Sequence, residues 1–383
     1  MAPGQTTEGN SLTTFASGLQ TTLRLTITES GTVEPDPDPS EPTNPDVANQ
    51  TLWTYGVNVT PYPGKENMTS YPYPSASLHK FPAGQWFRWN MTYDESQYLT
   101  WVEGCGWYDC NKSYRYDEND ANLCWAASAS NMIIWWMVNN RPYIEAYTQR
   151  YGARVESTVT TGLYFDRPSD EFKPLYPEGV MGRNYPVNRA PVFEFFKSSF
   201  RDNGSWDAGG VNWFISGYQA PQMVSPKIQG FPGFFSEVFK KTDIIAVEAN
   251  RWPDIDQFND FIIDAFQNRK GLGFVVYDIA GPSTGNHSMV FWGADFDENG
   301  RASHIYYCDN NMSDQDPNGA AIKRVKVVYA TEAGMGNTMY TFMQSLDDEE
   351  GNVKKKYKIT ALYSVDLRRD IWAKAFPDVK VED

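Results

Sequence analysis

The sequence predicts an α+β protein in which a helical half is followed along the chain by an antiparallel, β-rich half. In the middle of the chain, apolar side chains recur at helical spacing, whereas from Leu272 onward strand-like runs dominate. Between two of these runs lies Asn299-Gly300, and Asn-Gly flanked by hydrophobic segments is the strongest short-range signal for a hairpin. With 383 residues, of which 41% are hydrophobic and 15% aromatic, the chain can bury one large core.

Composition divides the chain into three segments. Residues 1–33 are an N-terminal extension with one predicted β-strand, Leu23-Arg24-Leu25-Thr26-Ile27-Thr28, in which apolar and polar side chains alternate. Residues 34–50 are a Pro/Asp-rich linker, because alternating prolines and like charges keep a chain extended. Residues 51–383 form the main domain, which begins where the sequence turns aromatic.

Three helices are predicted in the main domain besides the one that carries the candidate site. The first covers residues 191–197 and starts at a proline, and the second covers residues 211–218 and is closed by Gly217. The third covers residues 254–268, where apolar side chains recur at helical spacing before Lys270-Gly271. The strand 272–277 then opens the β-rich half.

Charge and composition exclude several classes of partner. The formal net charge of −15 argues against nucleic acid, since the longest basic run, Lys354-Lys355-Lys356, directly follows an acidic stretch. The longest apolar run is far shorter than the roughly 20 residues of a membrane span.

The first residues lack the features of an export signal. Four cysteines are too few for a disulfide framework, although Cys105 and Cys110 are near enough in sequence to pair.

No metal or other cofactor is predicted. Residues 295–300 and 314–319 both follow the calcium-loop pattern D-x-[DN]-x-[DN]-G. The twelfth position of such a loop should be glutamate, but it is Tyr306 in the first and Val325 in the second. Hairpin turns are therefore the better interpretation of both segments.

Cys124 is the candidate nucleophile. It opens an apolar run without Gly or Pro that predicts a buried helix, with Asp120 and Asn122 as candidate capping residues. In a first helical turn, the dipole and the unpaired N–H groups favour the thiolate over the thiol. The alternative is an inert buried cysteine, and the helix alone does not decide between the two.

His287 is the best-placed base among three histidines. It opens a strand that turns at Asn299-Gly300 into a second strand, and the expected hairpin register places Asp309 beside His287. The chain order is cysteine, then histidine roughly 160 residues later, then an acid, which resembles the papain-like order. His304 and Cys308 point to the opposite face of the strand and are interpreted as structural.

A resemblance to a known family extends this interpretation. The motifs Gly106-Trp107-Tyr108-Asp109, Leu123-Cys124, Asn131-Met132, Trp135-Trp136, Asn286-His287 and Trp292-Gly293-Ala294-Asp295-Phe296-Asp297 resemble the IdeS/Mac family of secreted immunoglobulin-G cysteine endopeptidases. The resemblance implies a papain-like cysteine protease fold, in which the helical half carries the nucleophile helix and packs on the antiparallel β-rich half. It implies that Cys124 is the nucleophile, that His287 is the general base and acid, and that Asp309 orients His287. It also assigns Lys112 to the oxyanion hole, beside the backbone N–H of Cys124.

This chain departs from the family pattern at two positions. Trp125 replaces the glycine that follows the cysteine, and Asn311 replaces a second acid two residues beyond Asp309. Both are therefore candidate substrate-binding residues.

The resemblance implies a secreted or surface-tethered endopeptidase whose partner is a protein substrate, with immunoglobulin G as the candidate. Two alternatives remain open: a catalytically inactive adhesin on a stalk, and an acyltransferase of the transglutaminase type.

Overall fold

The structure of the protein is a computed structural model. It describes residues 9–14, 20–25, 44–59, 67–72, 84–90, 97–102, 104–112, 120–151, 191–249, 251–277, 285–311, 321–331, 338–347 and 353–381. The chain divides into two compact units, Met1–Pro42 and Thr43–Asp383. Within the described ranges, no helix is long and apolar enough to cross a membrane.

The N-terminal unit contains an antiparallel pair of strands. Strand β1 (Gly9–Thr14) pairs with β2 (Gln20–Leu25), so that Leu12 lies opposite Thr22. The prediction of one strand at 23–28 was therefore incomplete, because β1 carries Leu12 as its one aliphatic side chain and shows no apolar alternation. Residues 26–28 of the predicted strand lie outside the described residues.

The main unit is a mixed α+β structure built on a large sheet. Its described strands are β3 (Thr51–Trp53), β4 (Thr69–Pro72), β5 (Trp86–Asn90), β6 (Gln97–Thr100), β7 (Ala246–Ala249), β8 (Gly271–Tyr277), β9 (Asn286–Phe296), β10 (Ala302–Cys308), β11 (Ala321–Thr331), β12 (Met339–Asp347) and β13 (Val353–Val365). Six of them form a closed antiparallel ring in the order β10-β9-β8-β13-β12-β11 and back to β10, while β6, β5 and β4 extend the sheet from β11. Strand β3 pairs with β9, and β7 pairs with β13.

The described part of the main unit has six α-helices, and the predicted helices are among them. They are α1 (Cys124–Asn139), α2 (Arg141–Tyr151), α3 (Pro191–Ser199), α4 (Asp207–Ser216), α5 (Ile255–Gln267) and α6 (Arg369–Ala375). Helix α4 begins four residues before the predicted start and ends at Gly217, whose φ of 71° suits glycine. Helix α5 begins after Asp254, which forms a capping box with Gln257.

Two hydrophobic clusters explain how the halves of the main unit pack. Along β9, Met289 and Phe291 belong to a cluster that joins one face of all six ring strands to α5. The alternate residues Val290 and Trp292 belong to a second cluster, which contains the buried side chains of α1 to α4 and α6. Because successive strand residues point to opposite faces, β9 contributes to both cores and fixes the helices against the ring.

The hairpin between β9 and β10 forms as predicted. Its turn is closed by Asp297, whose Oδ1 accepts hydrogen bonds from the backbone N–H groups of Asn299 and Arg301, each at 2.9 Å. Gly300 has a φ of 69° and lies against Asn44, where a side chain would not fit. The calcium-like pattern at 295–300 is thus a hairpin turn, and the pattern at 314–319 lies outside the described residues.

The predicted linker 34–50 is too long at its C-terminal end. Val47 is 3% exposed and belongs to the cluster that contains α5. The backbone N–H of Asn49 donates to the carbonyl of Asp297 at 2.9 Å, and Phe296 donates to the carbonyl of Gln50 at 2.8 Å. Because prolines and charges dominate the composition of this segment, its sequence does not indicate that the side chain of Val47 packs.

Two truncations test this boundary. Removal of residues 1–42 should leave the free energy of unfolding of the main unit unchanged, since residues 1–42 are a compact unit of their own. Removal of residues 1–50 should lower it by roughly 2–4 kcal/mol, because the burial of Val47 and two backbone hydrogen bonds are lost. Urea unfolding of both proteins measures the difference, and equal midpoints would show that residues 43–50 do not contribute.

Candidate active site

Helix α1 mounts the candidate nucleophile. Its residues from Trp125 to Met137 are all buried, while Cys124 at the first position remains partly exposed. The helix packs against α3, α4 and β9. Its approach to α4 is close, because a Cβ placed on Gly210 would lie 3.1 Å from that of Ala129. A helix held on several sides keeps the thiol in a fixed position.

The loop before α1 is held differently from the prediction. The N-cap residue is Leu123, which has no side-chain cap, whereas the sequence predicted Asp120 and Asn122 as capping residues. Asp120 is buried and pairs with Lys197 of α3 at 3.5 Å. Asn122 uses its backbone N–H, which donates to Asp202 at 2.6 Å. Contacts with α3 and the loop that follows it satisfy these groups, and sequence spacing does not show such distant partners.

His287 lies between Cys124 and Asp309. Its Nε2 is 2.8 Å from Oδ1 of Asp309, and its side chain is hydrogen-bonded to the thiol of Cys124. Asp309 is itself fixed, because the backbone N–H of Asn311 donates to the same oxygen at 3.0 Å. The structure thus brings together the cysteine, the histidine and the acid that the sequence singled out.

The electrostatics of the pair favour charge separation. Burial raises the pKa of Cys124, but the hydrogen bond from His287, the charges of His287 and Lys112, and the backbone N–H of Ser288 lower that pKa from 9.0 to about 7. Burial lowers the pKa of His287, but the charge and hydrogen bond of Asp309, with those of Cys124, raise it from 6.5 to about 9. Near neutral pH, a large fraction of the pair is therefore thiolate and imidazolium.

The pKa of Asp309 fits the same picture. Burial raises this pKa, but the charge of His287, its hydrogen bond, the N–H of Asn311 and the charge of Lys323 together lower it below the ordinary value. Asp309 therefore stays ionised and stabilises the imidazolium of His287.

Lys112 is buried beside this pair. It is 4% exposed, and its Nζ donates to the carbonyl of Ala121 at 2.6 Å. Its backbone N–H donates to the carbonyl of Asn310 at 2.8 Å, and the N–H of Cys110 donates to Oδ1 of Asn131 on α1 at 2.6 Å. Because the segment is tied to both α1 and the end of β10, the ammonium is held near Cys124 and lowers the pKa of that thiol.

The comparisons with known proteins show the family of this chain. The sequence model of the Mac-1 family, described as "Mac 1", matches residues 90–346, which is more than half of the chain. The chain belongs to the Mac-1 family. It is also 28% identical over 293 residues to a protein of Streptococcus suis (strain P1/7) named "IgM protease". That alignment covers 71% of this chain but 22% of the relative, so the chain corresponds to about a fifth of its length.

In this member of the Mac-1 family, Asn310 joins the elements of the site, a role that sequence reasoning missed. Its Nδ2 lies 3.0 Å from the carbonyl oxygen of Cys124, 3.1 Å from Oγ of Ser128 and 2.8 Å from the carbonyl oxygen of Ser288. It therefore connects the start of α1 to the strand that carries His287. Its place next to Asp309 was the available signal, but its partners are far away in sequence.

We expect Asn310→Ala to change both stability and thiol reactivity. The loss of buried hydrogen bonds should lower the free energy of unfolding by about 1–3 kcal/mol, and the freed helix start should slow alkylation of Cys124 at neutral pH. Asn140→Ala is the matched control, since its buried Nδ2 donates to Leu367 at the far end of α1. A similar loss of stability with unchanged alkylation is expected for the control. Equal alkylation rates in both variants would show that Asn310 has no positioning role.

Trp125 is buried in the helical core, which contradicts the prediction that its side chain binds substrate. Its side chain is 0% exposed, its Nε1 donates to the carbonyl of Asn203 at 2.9 Å, and its ring packs edge-on against Phe196 and Phe200. One residue along an α-helix turns the side chain by about 100°. This turn takes Trp125 from the exposed side, where Cys124 lies, into the helical core.

Asn311 supports Asp309 through its backbone rather than its side chain. Its side-chain Oδ1 is buried and has no hydrogen-bond partner among the described residues. The prediction that this side chain binds substrate remains a prediction.

Cys105, Cys110, Cys308 and His304 lie outside the hydrogen-bonded group of Cys124, His287 and Asp309. Cys105 and Cys110 are buried and form no disulfide in the described part of the chain, so the suggested pairing is absent there, and Cys308 is buried and outside any disulfide as well. His304 contacts Ser303 at 3.2 Å, which agrees with a structural role. His79 lies outside the described residues. Among the residues that the structure describes, no group of three or more His, Cys, Asp or Glu side chains is arranged to hold a metal.

Proposed function

We propose that this protein is a cysteine endopeptidase with a papain-like fold. The observation that carries the proposal is His287, held by Asp309 and hydrogen-bonded to a cysteine at the start of a buried helix. This geometry activates a thiol for attack on a carbonyl carbon. A helical half packed on a closed antiparallel ring supports the papain-like assignment, as does membership of the Mac-1 family.

In the acylation half-reaction, the thiolate of Cys124 attacks the carbonyl carbon of the scissile peptide bond. The C–S bond forms, and the carbonyl π electrons move to oxygen, which becomes an oxyanion. The backbone N–H of Cys124, at the first position of α1, has no partner within the helix and can donate to this oxygen beside Nζ of Lys112. The imidazolium of His287 then protonates the leaving nitrogen, the C–N bond breaks, and a thioester remains.

In the deacylation half-reaction, His287 acts as a base. Its imidazole takes a proton from water, whose oxygen attacks the thioester carbonyl and forms a second oxyanion at the same donors. Collapse of this intermediate breaks the C–S bond, releases the carboxylic acid and restores the thiolate and imidazolium. Asp309 keeps the ring in one orientation through both half-reactions, because its carboxylate accepts from Nε2 and leaves Nδ1 for Cys124.

The proposed substrate is an extracellular host protein, with an immunoglobulin as the first candidate. The relative from Streptococcus suis is named for IgM, which makes IgM a candidate beside the IgG that the family resemblance implies. A host immunoglobulin substrate requires that the enzyme act outside the cell. No cofactor is proposed, since the chain's own side chains and backbone supply the nucleophile, the base and the oxyanion donors.

The test is cleavage of immunoglobulins G and M and of a mixed host proteome, with new N-termini identified by mass spectrometry. The parent protein should generate new N-termini that the Cys124→Ala variant does not. If new N-termini arise from other proteins while both immunoglobulins stay intact, the immunoglobulin assignment is wrong and the peptidase remains. If an added amine appears in conjugates in place of hydrolysis, the enzyme is an acyltransferase. An absence of both products, in protein whose Cys124 accepts an alkylating agent, would reject the enzymatic proposal.

A further inference from the structure

A cleft of about 830 Å³ opens beside Cys124. Its walls come from the start of α4, from β7 and the residues that follow it, and from β8, β9 and β13. Those walls include Asp207, Glu248, Trp252, Ser288 and Tyr363. A substrate whose carbonyl reaches the thiol therefore has room for a neighbouring side chain in this cleft.

Asp207 supplies a buried carboxyl group with one unused oxygen. The residue is 2% exposed, and its Oδ2 accepts a hydrogen bond from Oγ of Ser288 at 2.8 Å. Its Oδ1 is buried and has no hydrogen-bond partner among the residues that the structure describes. A buried polar atom without a partner is costly, so a ligand that donates a hydrogen bond here is favoured.

The charges around Asp207 favour a cationic ligand. Burial raises the pKa of Asp207 well above its ordinary value, and the negative charges of Cys124 and Glu248 raise it further. Arg251, in the same wall, pairs with Glu248 at 2.9 Å, but its side chain is 76% exposed and offsets little. A cation that entered the cleft would allow Asp207 to ionise and would balance the carboxylates.

Trp252 provides an apolar surface for the stem of a long side chain. It is 44% exposed, and its φ of 57° lies in the left-handed region, which is strained for a tryptophan. Strained residues of this kind concentrate at functional sites. The backbone N–H of Trp252 donates to the carbonyl of Thr360 at 2.8 Å, and this hydrogen bond helps to hold Trp252 in its strained conformation. Nζ of Lys358 lies 4.4 Å from the centroid of the Trp252 ring, which therefore already accepts an ammonium group.

We propose that this cleft is a specificity subsite for a basic side chain, lysine or arginine, close to the scissile bond, with Asp207 as its charged partner. The aliphatic stem would lie along Trp252, and the cationic end would donate to the unused Oδ1 of Asp207. The role in substrate choice rests on the proposed peptidase function.

The first experiment does not depend on hydrolysis. Cys124 is labelled with methanethiosulfonate reagents that carry either an ammonium or a neutral group of similar size, and the ratio of the two rates is measured. Asp207→Asn should lower the ratio of cationic to neutral labelling by roughly 10–100-fold, which is the effect of one charge-assisted hydrogen bond. Asp264→Asn, an exposed acid outside the described lining of the cleft, controls for net charge and should leave the ratio unchanged.

The second experiment reads side-chain preference directly. A proteome-derived peptide library is digested, and residues on both sides of each cleaved bond are identified. Lysine and arginine should be enriched at one position for the parent and for Asp264→Asn, and the enrichment should disappear for Asp207→Asn. Glu248→Gln, which keeps Asp207 in place, should weaken the enrichment of lysine and arginine. This variant tests the subsite if Asp207→Asn does not fold.

The two experiments separate the possible failures. An unchanged labelling ratio in Asp207→Asn would overturn the subsite. Equal rates of cleavage by the parent of synthetic peptides that carry arginine or its neutral analogue citrulline would overturn it as well. If the ratio falls as expected but the parent cleaves no peptide, the subsite stands and the peptidase function fails.

Discussion

Replacement of Asp309 by Asn is expected to lower kcat for peptide hydrolysis by on the order of 10⁴, the effect of this change in a Ser-His-Asp triad. The carboxylate of Asp309 accepts from Nε2 of His287, and its charge is the leading cause that raises the pKa of the imidazole. An amide at this position favours the wrong tautomer and removes that charge. The pKa of His287 then falls, and with it the fraction of the thiolate–imidazolium pair.

The measurement is single-substrate kinetics with the parent and with Asp370→Asn as the control. Asp370 is an exposed acid in α6, outside the described lining of the cleft beside Cys124, so its substitution should leave kcat within about twofold. Urea unfolding of Asp309→Asn separates a loss of catalysis from a loss of folded protein. A folded Asp309→Asn variant with kcat within tenfold of the parent would show that Asp309 does not orient the base.

The second large effect is expected at Lys112. In the proposed tetrahedral intermediate, an ammonium aimed at the oxyanion stabilises negative charge that the ground-state carbonyl lacks, so its loss should lower turnover rather than substrate binding. Lys112→Met, which keeps most of the buried volume, should lower kcat by on the order of 10²–10³. Because the charge of Lys112 also lowers the pKa of Cys124, alkylation of the thiol at neutral pH should slow as well, though by a smaller factor.

Two measurements distinguish these contributions of Lys112. The rate of alkylation by a small reagent that forms no oxyanion reports the thiolate alone, and kcat reports both effects. If kcat falls only as much as alkylation does, Lys112 acts on the thiol pKa and another group must stabilise the oxyanion. Lys112→Arg keeps the charge in a larger group and should recover alkylation more completely than kcat.

The hairpin shows how far sequence reasoning could reach. The signal at Asn299-Gly300 placed both strands and brought His287 near Asp309. The actual register is shifted by about two residues from the expected one, since Cys308 lies opposite Val290 and irregularities occur along β10. A shift by an even number of residues keeps side chains on the same face, so His287 and Asp309 still lie close together, as predicted.

The residues that surround the pair could not be predicted in this way. Ser288 and Asn310 are next to His287 and Asp309 in sequence, but nothing local indicates that Asp207 of α4 accepts a hydrogen bond from Ser288, or that the side chain of Asn310 reaches the carbonyl oxygen of Ser288. Trp125 shows the opposite failure, because its place next to Cys124 in sequence suggested a place next to it in the cleft. Helical geometry sends neighbouring side chains in different directions, and the phase of α1 relative to α3 and α4 emerges only from packing.

We expect Cys124 and His287 to form a thiolate–imidazolium pair. The pH dependence of Cys124 alkylation tests the presence of this pair most directly. The pKa of Cys124 is lowered to about 7, so labelling of the parent should be half-maximal near pH 7 and should fall as the thiolate is protonated below it. In His287→Ala the hydrogen bond and the charge are lost while burial still favours the thiol, so the midpoint should move to higher pH. Labelling at pH 7 should then slow by roughly tenfold or more. A parent midpoint near the ordinary thiol value of 9.0, unchanged in His287→Ala, would contradict the account.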